Sequence, residues 1–140
     1  MCRINGKQRF TKTGAVKKNP LSDVPYKTLC EPLINSSAVI VKSASLKGIL
    51  YMEKIIVTVE DNLVPVFGII ESIIVDINKE IQFVVKLLRT SNFDQHVQAY
   101  RIETALSENY QLIRYHDMNN KFPTDILYSI SSVPYIIYYE

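Results

Sequence analysis

The sequence predicts an all-β fold, a small and strongly bent β-barrel of about five to seven strands that follows a flexible basic N-terminal arm. Residues 64–88 give the strongest signal, because two stretches rich in β-branched residues flank the polar residues 76–80 and so predict a hairpin. Further short β-prone stretches follow at regular spacing, and no segment has the extended helical periodicity that an α/β fold requires. Closure into a barrel would also protect strand edges from aggregation.

Local composition predicts the remaining elements in order. Residues 25–45 form an irregular leading segment, because Pro25 and Pro32 disfavour regular structure, and a first short strand lies at residues 38–42. The barrel domain covers residues 46–140. After a bend at 46–51, its strands are predicted at residues 55–59, 64–77, 81–88, 97–103, 110–115, 126–130 and 135–139, with polar loops at 89–95 and 116–123. Gly68 inside a strand predicts a bulge or a sharp coil.

The positive charge is concentrated at the N-terminus. Residues 1–22 carry a net charge of +6 and no acidic residue; their basic residues are Arg3, Lys7, Arg9, Lys12, Lys17 and Lys18. The other 118 residues hold ten basic and 14 acidic side chains, a net charge of −4. Because residues 1–24 contain few large apolar groups, we expect a flexible arm. Such arms attract phosphate backbones through counterion release, so these six residues are candidate contacts to DNA or RNA, with a solubilising tail as the alternative.

Composition also sets the expected compartment. The sequence has neither the apolar core of a secretory signal nor the roughly 18 consecutive apolar residues of a membrane span, so we expect an intracellular protein without membrane contact. Cys2 and Cys30 are the only cysteines, which argues against a disulfide framework. Together with His96 and His116 they lack the close ligand pairs of a zinc site, and the sequence predicts no metal and no cofactor.

Short motifs in the second part of the chain carry a family resemblance. In order, they are Gly48-Ile49-x-Tyr51, Asp61-Asn62-x-Val64, Phe67-Gly68-x-Ile70, Phe93-Asp94-x-His96-x-x-Ala99-Tyr100 and an aromatic stretch at 135–139. The pattern resembles a poorly characterised C-terminal module of transposable-element-derived animal proteins, and it covers residues 46–140. The resemblance implies a small β-barrel accessory module with no activity assigned to a residue. It also implies that this chain is a fragment or a decayed copy without the upstream regions.

Asp94 and His96 are the strongest candidates for acid–base chemistry, because residues i and i+2 of a strand share a face. No catalytic motif supplies a third partner, so a polar cluster that fixes the loop before residue 97 is the favoured interpretation. His116 and Asp117 are adjacent, and on a strand their side chains would diverge, so we expect a solvated turn. A nuclease or hydrolase remnant would need Asp94, Asp117 or Glu71 in one metal-binding cleft. We assign no catalytic residue.

Tyrosine is the other enriched residue type, with nine in the chain. Tyrosines at the open rim of a small barrel can stack nucleic-acid bases, although a buried ring with a wet hydroxyl is the more common role of any single tyrosine. Tyr51, Tyr100 and Tyr115 flank predicted turns and are our candidates for groove aromatics.

The sequence therefore favours a non-enzymatic interaction module of transposable-element origin that associates with nucleic acid or chromatin in an intracellular, nuclear setting. One alternative is a protein–protein or self-association module that uses an exposed strand edge, with residues 135–139 as the expected edge. Another is a degenerate nuclease or hydrolase.

Overall fold

Antiparallel strands dominate the structure, which is a computed structural model that describes residues 11–15, 26–35, 38–61, 63–103, 109–119 and 121–138. The elements are β1 Thr11–Thr13, α1 Lys27–Asn35, β2 Val39–Val41, β3 Ser43–Leu46, β4 Ile49–Met52, β5 Ile56–Glu60, β6 Val66–Val75, β7 Ile81–Asp94, β8 Ala99–Glu103, β9 Tyr110–Arg114, a 3₁₀ helix Tyr115–Asp117, β10 Leu127–Tyr128 and β11 Pro134–Ile136. The prediction of a mostly β structure is confirmed, with one α-helix among the described residues.

The predicted hairpin is present as β6 and β7. Asp76 organises its turn, because its Oδ1 accepts hydrogen bonds from the backbone N–H of Asn78 at 2.8 Å and of Glu80 at 2.9 Å. Lys79 adopts the left-handed conformation with φ 66°. The predicted polar loop at residues 89–95 is wrong, since β7 continues to Asp94. Pairing with β8 satisfies the backbone hydrogen-bonding groups of this polar stretch. The composition of the stretch alone did not indicate that pairing.

Strand β7 is the centre of the larger sheet. Val85 pairs with Ile70 of β6 and with Gln111 of β9, so β9 lies on the edge of β7 opposite β6. The second half of β7 pairs with β8, β8 pairs with β11, and β11 pairs with β10. Strands β2 and β5 both pair with β6. Within the described residues this path ends at β10 and β2 and no ladder joins the two ends, so closure into a barrel stays a prediction.

A smaller sheet covers one face of the larger one. Between β2 and β5 the chain forms the hairpin β3–β4, and β1 adds to β3. Phe83 and Val85 pack with Tyr51 of this hairpin, whereas Val84 packs with Tyr26 and Cys30 beside and within α1. Because neighbouring residues of a strand point to opposite faces, β7 is buried on both sides over residues 81–85. A third cluster around Phe67 lies under β8 and β11.

The irregularity predicted at Gly68 is present in the pairing with β5, where the register shifts opposite Phe67 and Val66, and not in the pairing with β7. The register with β7 is regular at Gly68 and shifts between Ile70 and Ser72. A Cβ atom at position 68 would lie 2.9 Å from Val59 Cγ2 and 2.9 Å from Val85 Cβ. The glycine therefore allows neighbouring strands to pack closely beside the register shift between Thr58 and Glu60 of β5.

The leading segment also differs from the prediction, because α1 occupies much of residues 25–45 and contains Pro32. The carbonyl oxygen of Tyr26 accepts hydrogen bonds from the backbone N–H groups of Leu29 and Cys30 at the start of the helix. Cys30 is fully buried against β6 and β7, and this burial sustains a short helix that propensity alone disfavours. The predicted strand at 38–42 is confirmed as β2.

The predicted flexible arm, residues 1–24, is corrected in part. Thr11–Thr13 pairs with β3 as β1, because the free edge of β3 offers backbone partners to a segment with few apolar side chains of its own. Lys12 lies in this strand opposite Ser45. The other five candidate phosphate contacts, Arg3, Lys7, Arg9, Lys17 and Lys18, lie outside the described residues.

Candidate functional site

A groove of about 970 Å³ opens beside the small sheet, between β4 and β5 on one side and the segments around residues 115–124 and 137–138 on the other. Two lysines, Lys47 and Lys121, line it together with three aromatic residues, Tyr115, Phe122 and Tyr138. Its volume is at the upper end of the range of small-molecule pockets. The groove can therefore accept a ligand with aromatic and anionic parts.

The turn between β3 and β4 places Lys47 at the rim. Lys47 and Gly48 both have positive φ values, 52° and 83°, which fits the two-residue type I′ turn that suits the twist of a hairpin. Glycine at the second position avoids the steric cost of this conformation. Ile49, the first residue of β4, continues the lining, and the buried Thr58 of β5 adds to it.

Tyr51 lies in the core next to the groove and does not line it, so its predicted role as a groove aromatic is wrong. Its ring is fully buried, 5.2 Å from Phe83 and 5.9 Å from Tyr115 between ring centroids. Its hydroxyl donates a hydrogen bond to the carbonyl oxygen of Lys121. β4 alternates its side chains, and position 51 falls on the inward face. Tyr51 therefore holds the wall that carries Lys121 and Phe122.

Hydrogen bonds attach the two walls to the body and to each other. The backbone N–H of Thr124 donates to the carbonyl oxygen of Ile56 at 2.9 Å, and its hydroxyl donates to the carbonyl oxygen of Ile137 at 3.4 Å. The hydroxyl of Tyr138 donates to the carboxylate of Asp61. These bonds keep Tyr138 and the loop at residues 121–124 at the groove although little regular structure surrounds them.

The ammonium group of Lys121 lies over an aromatic ring. Its Nζ is 5.2 Å from the centroid of Tyr115 and donates to the carbonyl oxygen of Met118 at 2.6 Å. An ammonium group has three N–H donors, so donors remain for a ligand. Burial raises the pKa of Tyr115 and of Tyr51, and both phenols are neutral at physiological pH. The charged side chains of the groove are thus Lys47, Lys121 and Asp61.

Of the three tyrosines that we selected from the sequence, Tyr115 lies in the groove. Tyr100 lies in an adjoining aromatic cluster, where its ring centroid is 5.1 Å from that of Phe93 and 6.4 Å from that of Tyr138. Sequence reasoning missed Lys121, Phe122 and Tyr138 as groove residues. The sequence did carry one signal, a lysine followed by a phenylalanine in a predicted polar loop at residues 121–122. In the structure the side chain of Phe122 is 72% exposed.

Asp94 has a structural role, as the favoured interpretation of the Asp94–His96 pair predicted. Its carboxylate accepts the backbone N–H of His96 at 2.9 Å and the hydroxyl of Tyr135 at 3.0 Å. These two bonds lower the pKa of Asp94. The carboxylate thereby fixes the turn at residues 95–98 and joins it to β11.

The solvated turn expected at His116 and Asp117 is confirmed, although their side chains do not diverge. They lie in a 3₁₀ helix, so the strand argument does not apply, and His116 Nε2 is 3.3 Å from Asp117 Oδ1. Arg114 pairs with the same carboxylate at 2.9 Å, whereas Glu71 pairs with Lys54 at 2.7 Å. In the described part of the chain, no three His, Cys, Asp or Glu side chains form a group that could hold a metal ion.

Comparison with known proteins identifies no family for this chain. No family model, curated protein or solved structure matches the chain. Over the ranges that the structure covers, no helix is both long and apolar enough to cross a membrane.

Proposed function

We propose that this chain is a non-enzymatic interaction module that binds nucleic acid in the groove between Lys47 and Phe122. The observation that carries the proposal is the meeting of aromatic rings and ammonium groups in one groove. Aromatic side chains stack on bases of any sequence, and lysines neutralise phosphates. Transposable-element ancestry and a nuclear, chromatin-associated location belong to the same proposal and rest on the motif resemblance and on the basic N-terminal sequence.

Charge distribution supports this assignment. The groove holds two lysines against one carboxylate, and Asp61 is already bonded to the hydroxyl of Tyr138. The first 22 residues add six positive charges to a body that is otherwise net acidic. Phosphate affinity is therefore expected from the N-terminal sequence and the groove, while the remaining 118 residues carry a net negative charge.

Binding of a labelled single strand and a labelled duplex of mixed sequence, at low and at physiological salt, tests the proposal. Stacking contributes about 1–3 kcal/mol per base, so Phe122→Ala is expected to weaken binding by about 5- to 150-fold. Lys121→Gln is expected to reduce the slope of log affinity against log salt by about 0.7 for a single strand. Tyr128→Ala is the matched control, because Tyr128 is 65% exposed and does not line the groove.

Two results would contradict the proposal. One is the absence of binding to both probes at low salt. The other is an equal effect of Phe122→Ala and Tyr128→Ala, which would place any binding outside the groove.

A second candidate function is self-association through β10. The predicted edge at residues 135–139 is not free over Pro134–Ile136, because β11 pairs with β8 and with β10. β10 pairs only with β11 among the described strands, and its hairpin exposes Leu127 by 50%, Tyr128 by 65% and Ile130 completely. Exposed edges with apolar side chains favour pairing between chains. Sedimentation velocity should show a concentration-dependent dimer that Ile130→Lys weakens; a monomer at every concentration would exclude this candidate.

A further inference from the structure

A row of aromatic rings continues from the groove onto the larger sheet. Tyr138 lines the groove, and its ring centroid is 6.4 Å from that of Tyr100. The centroid of Tyr100 is in turn 5.1 Å from that of Phe93. Tyr100 is partly buried, whereas Phe93 is 44% exposed. The row therefore starts in the groove and ends on an exposed ring at the far end of β7.

Strand pairing places these rings on one face of the sheet. Phe93 of β7 and Ile136 of β11 both lie opposite Tyr100 of β8, and side chains opposite each other on paired strands share a face. Tyr138 follows Ile136 by two positions. The fully buried Phe67 packs under the row, with its centroid 6.3 Å from that of Tyr100 and 5.9 Å from that of Tyr138. The core thus holds the row in place.

Charge changes along the row. At the groove end, Lys47 and Lys121 place two ammonium groups near the rings. At the other end, residues 90–93 carry no charged side chain. Asp94 follows them, but its side chain lies on the opposite face from Phe93, because neighbouring residues of a strand point to opposite faces. Phe93 therefore offers a ligand a ring, whereas the groove offers rings and positive charge.

Ring geometry fits an unpaired strand better than a duplex. The planes of Phe93 and Tyr100 are inclined by 67°, and those of Tyr100 and Tyr138 by 72°, so one continuous base stack cannot follow the row. Bases in one strand of a duplex also follow each other at about 3.4 Å, less than either ring separation. Bases that contact the groove and Phe93 together must be unpaired and turned apart, which a single strand of DNA or RNA allows.

We propose that Phe93 is a second stacking platform for a single strand of nucleic acid whose remaining bases and phosphates occupy the groove. Tyr100 is a positioning residue, because its ring packs between those of Phe93 and Tyr138. This inference rests on the proposed function and deepens it. It names the single strand as the ligand, and it adds a contact that contributes stacking without charge.

The salt dependence of binding tests this division between stacking and charge. The probes are labelled oligothymidylate and oligouridylate of about 12 nucleotides, within the range of known single-strand site sizes. Phe93→Ala is expected to weaken binding by about 5- to 150-fold and to leave the slope of log affinity against log salt unchanged, since it removes no phosphate contact. Lys121→Gln should instead reduce that slope. Tyr128→Ala should change neither quantity, and the tighter probe identifies DNA or RNA as the ligand.

Tryptophan fluorescence reports stacking at this position directly. The chain contains no tryptophan, so Phe93→Trp introduces a single indole fluorophore. Saturation with unlabelled oligothymidylate or oligouridylate should quench its emission, because a base stacks on the introduced ring. Tyr128→Trp is the matched control, and its emission should not change. Because Phe93→Trp keeps an aromatic ring at a partly exposed position, it also tests the proposal if Phe93→Ala proves unstable.

The outcomes separate this inference from the proposed function. Unchanged emission of Phe93→Trp at saturation, wild-type affinity of Phe93→Ala, or a reduced salt slope in Phe93→Ala each overturns the second platform. The groove proposal then stands if Phe122→Ala still weakens binding. A duplex that binds as tightly as the single strand overturns the choice of ligand. Failure of the wild-type chain to bind either probe or the duplex overturns both proposals.

Discussion

Substitution of Tyr51 by phenylalanine tests whether the core and the groove wall are connected as described. The change removes one hydroxyl and keeps the ring between Phe83 and Tyr115. The loss is the hydrogen bond to the carbonyl oxygen of Lys121. A hydrogen bond contributes about 0.5–1.5 kcal/mol net, and this acceptor is only partly buried, so water can replace the lost donor. We expect a destabilisation of about 1 kcal/mol.

Urea denaturation followed by circular dichroism measures this change. Tyr51→Phe should lower the denaturation midpoint without altering the m value, because the surface exposed on unfolding is the same. Tyr51→Ala removes the ring as well and should cost about 3–5 kcal/mol. Tyr128→Phe is the control, since its exposed hydroxyl should make no measurable contribution. Equal effects of Tyr51→Phe and Tyr51→Ala, or no effect of the former, would refute the assignment.

The same variant has a pH signature. Burial raises the pKa of Tyr51 above its ordinary value of 10, so the folded chain keeps a proton that the unfolded chain releases. The stability linked to this proton is complete below pH 10 and is lost as the pH rises further. Tyr51→Phe removes that loss. The difference in stability between wild type and variant should therefore shrink above pH 10.

Three other changes test the core and the β7–β8 turn. Gly68→Ala should lower the free energy of unfolding by about 1–3 kcal/mol, because the added Cβ would lie 2.9 Å from Val59 Cγ2. Val59→Ala should recover part of this loss in a double-mutant cycle. A Gly68→Ala variant as stable as wild type would contradict the packing. Burial raises the pKa of Cys30 to about 11, so the stability linked to its proton is present below pH 9 and is lost toward pH 11. In a Cys2→Ser background, a thiol reagent at pH 8 should react with Cys30 only when the chain unfolds. Rapid reaction with the native protein would refute the burial of Cys30. The pKa of Asp94 is lowered, so its contribution to folding stability is present above pH 3.8 and is lost as the pH falls below that value. Asp94→Asn should therefore flatten the acid limb of the curve of stability against pH. An unchanged acid limb would count against the two hydrogen bonds of Asp94.

Local sequence signals predicted the β6–β7 hairpin, whose strands are neighbours in sequence, because Asp76 follows the first strand and its carboxylate caps the turn. They did not predict the β3–β4 hairpin, which lies where the sequence predicted a bend at residues 46–51. The strand predicted at residues 110–115 is confirmed as β9 Tyr110–Arg114, although its partner is the distant β7 and not the preceding strand. At the β6–β7 turn, composition and backbone hydrogen bonding favour the same conformation.

Elements that depend on distant partners were not predictable in this way. The helix α1 exists because Cys30 is buried against β6 and β7, and nothing in residues 27–35 specifies that contact. The extension of β7 to Asp94 depends on pairing with β8 across polar side chains. The groove likewise joins residues from positions 47, 58, 115 and 138, which lie far apart in the chain. Long-range pairing overrides local propensity at each of these positions.

The hydrogen bonds of the polar groups at the groove support the proposed binding role. The hydroxyl of Tyr51 holds the Lys121 backbone, and Asp61 is bonded to the hydroxyl of Tyr138. The phenol of Tyr115 is neutral at physiological pH, and burial raises its pKa further, so it offers a ring face and no negative charge. Ring faces and two ammonium groups recognise shape and charge in a ligand, and they tolerate many sequences. Under the proposed function, a groove built this way would gain affinity from the number of contacts along a polymer.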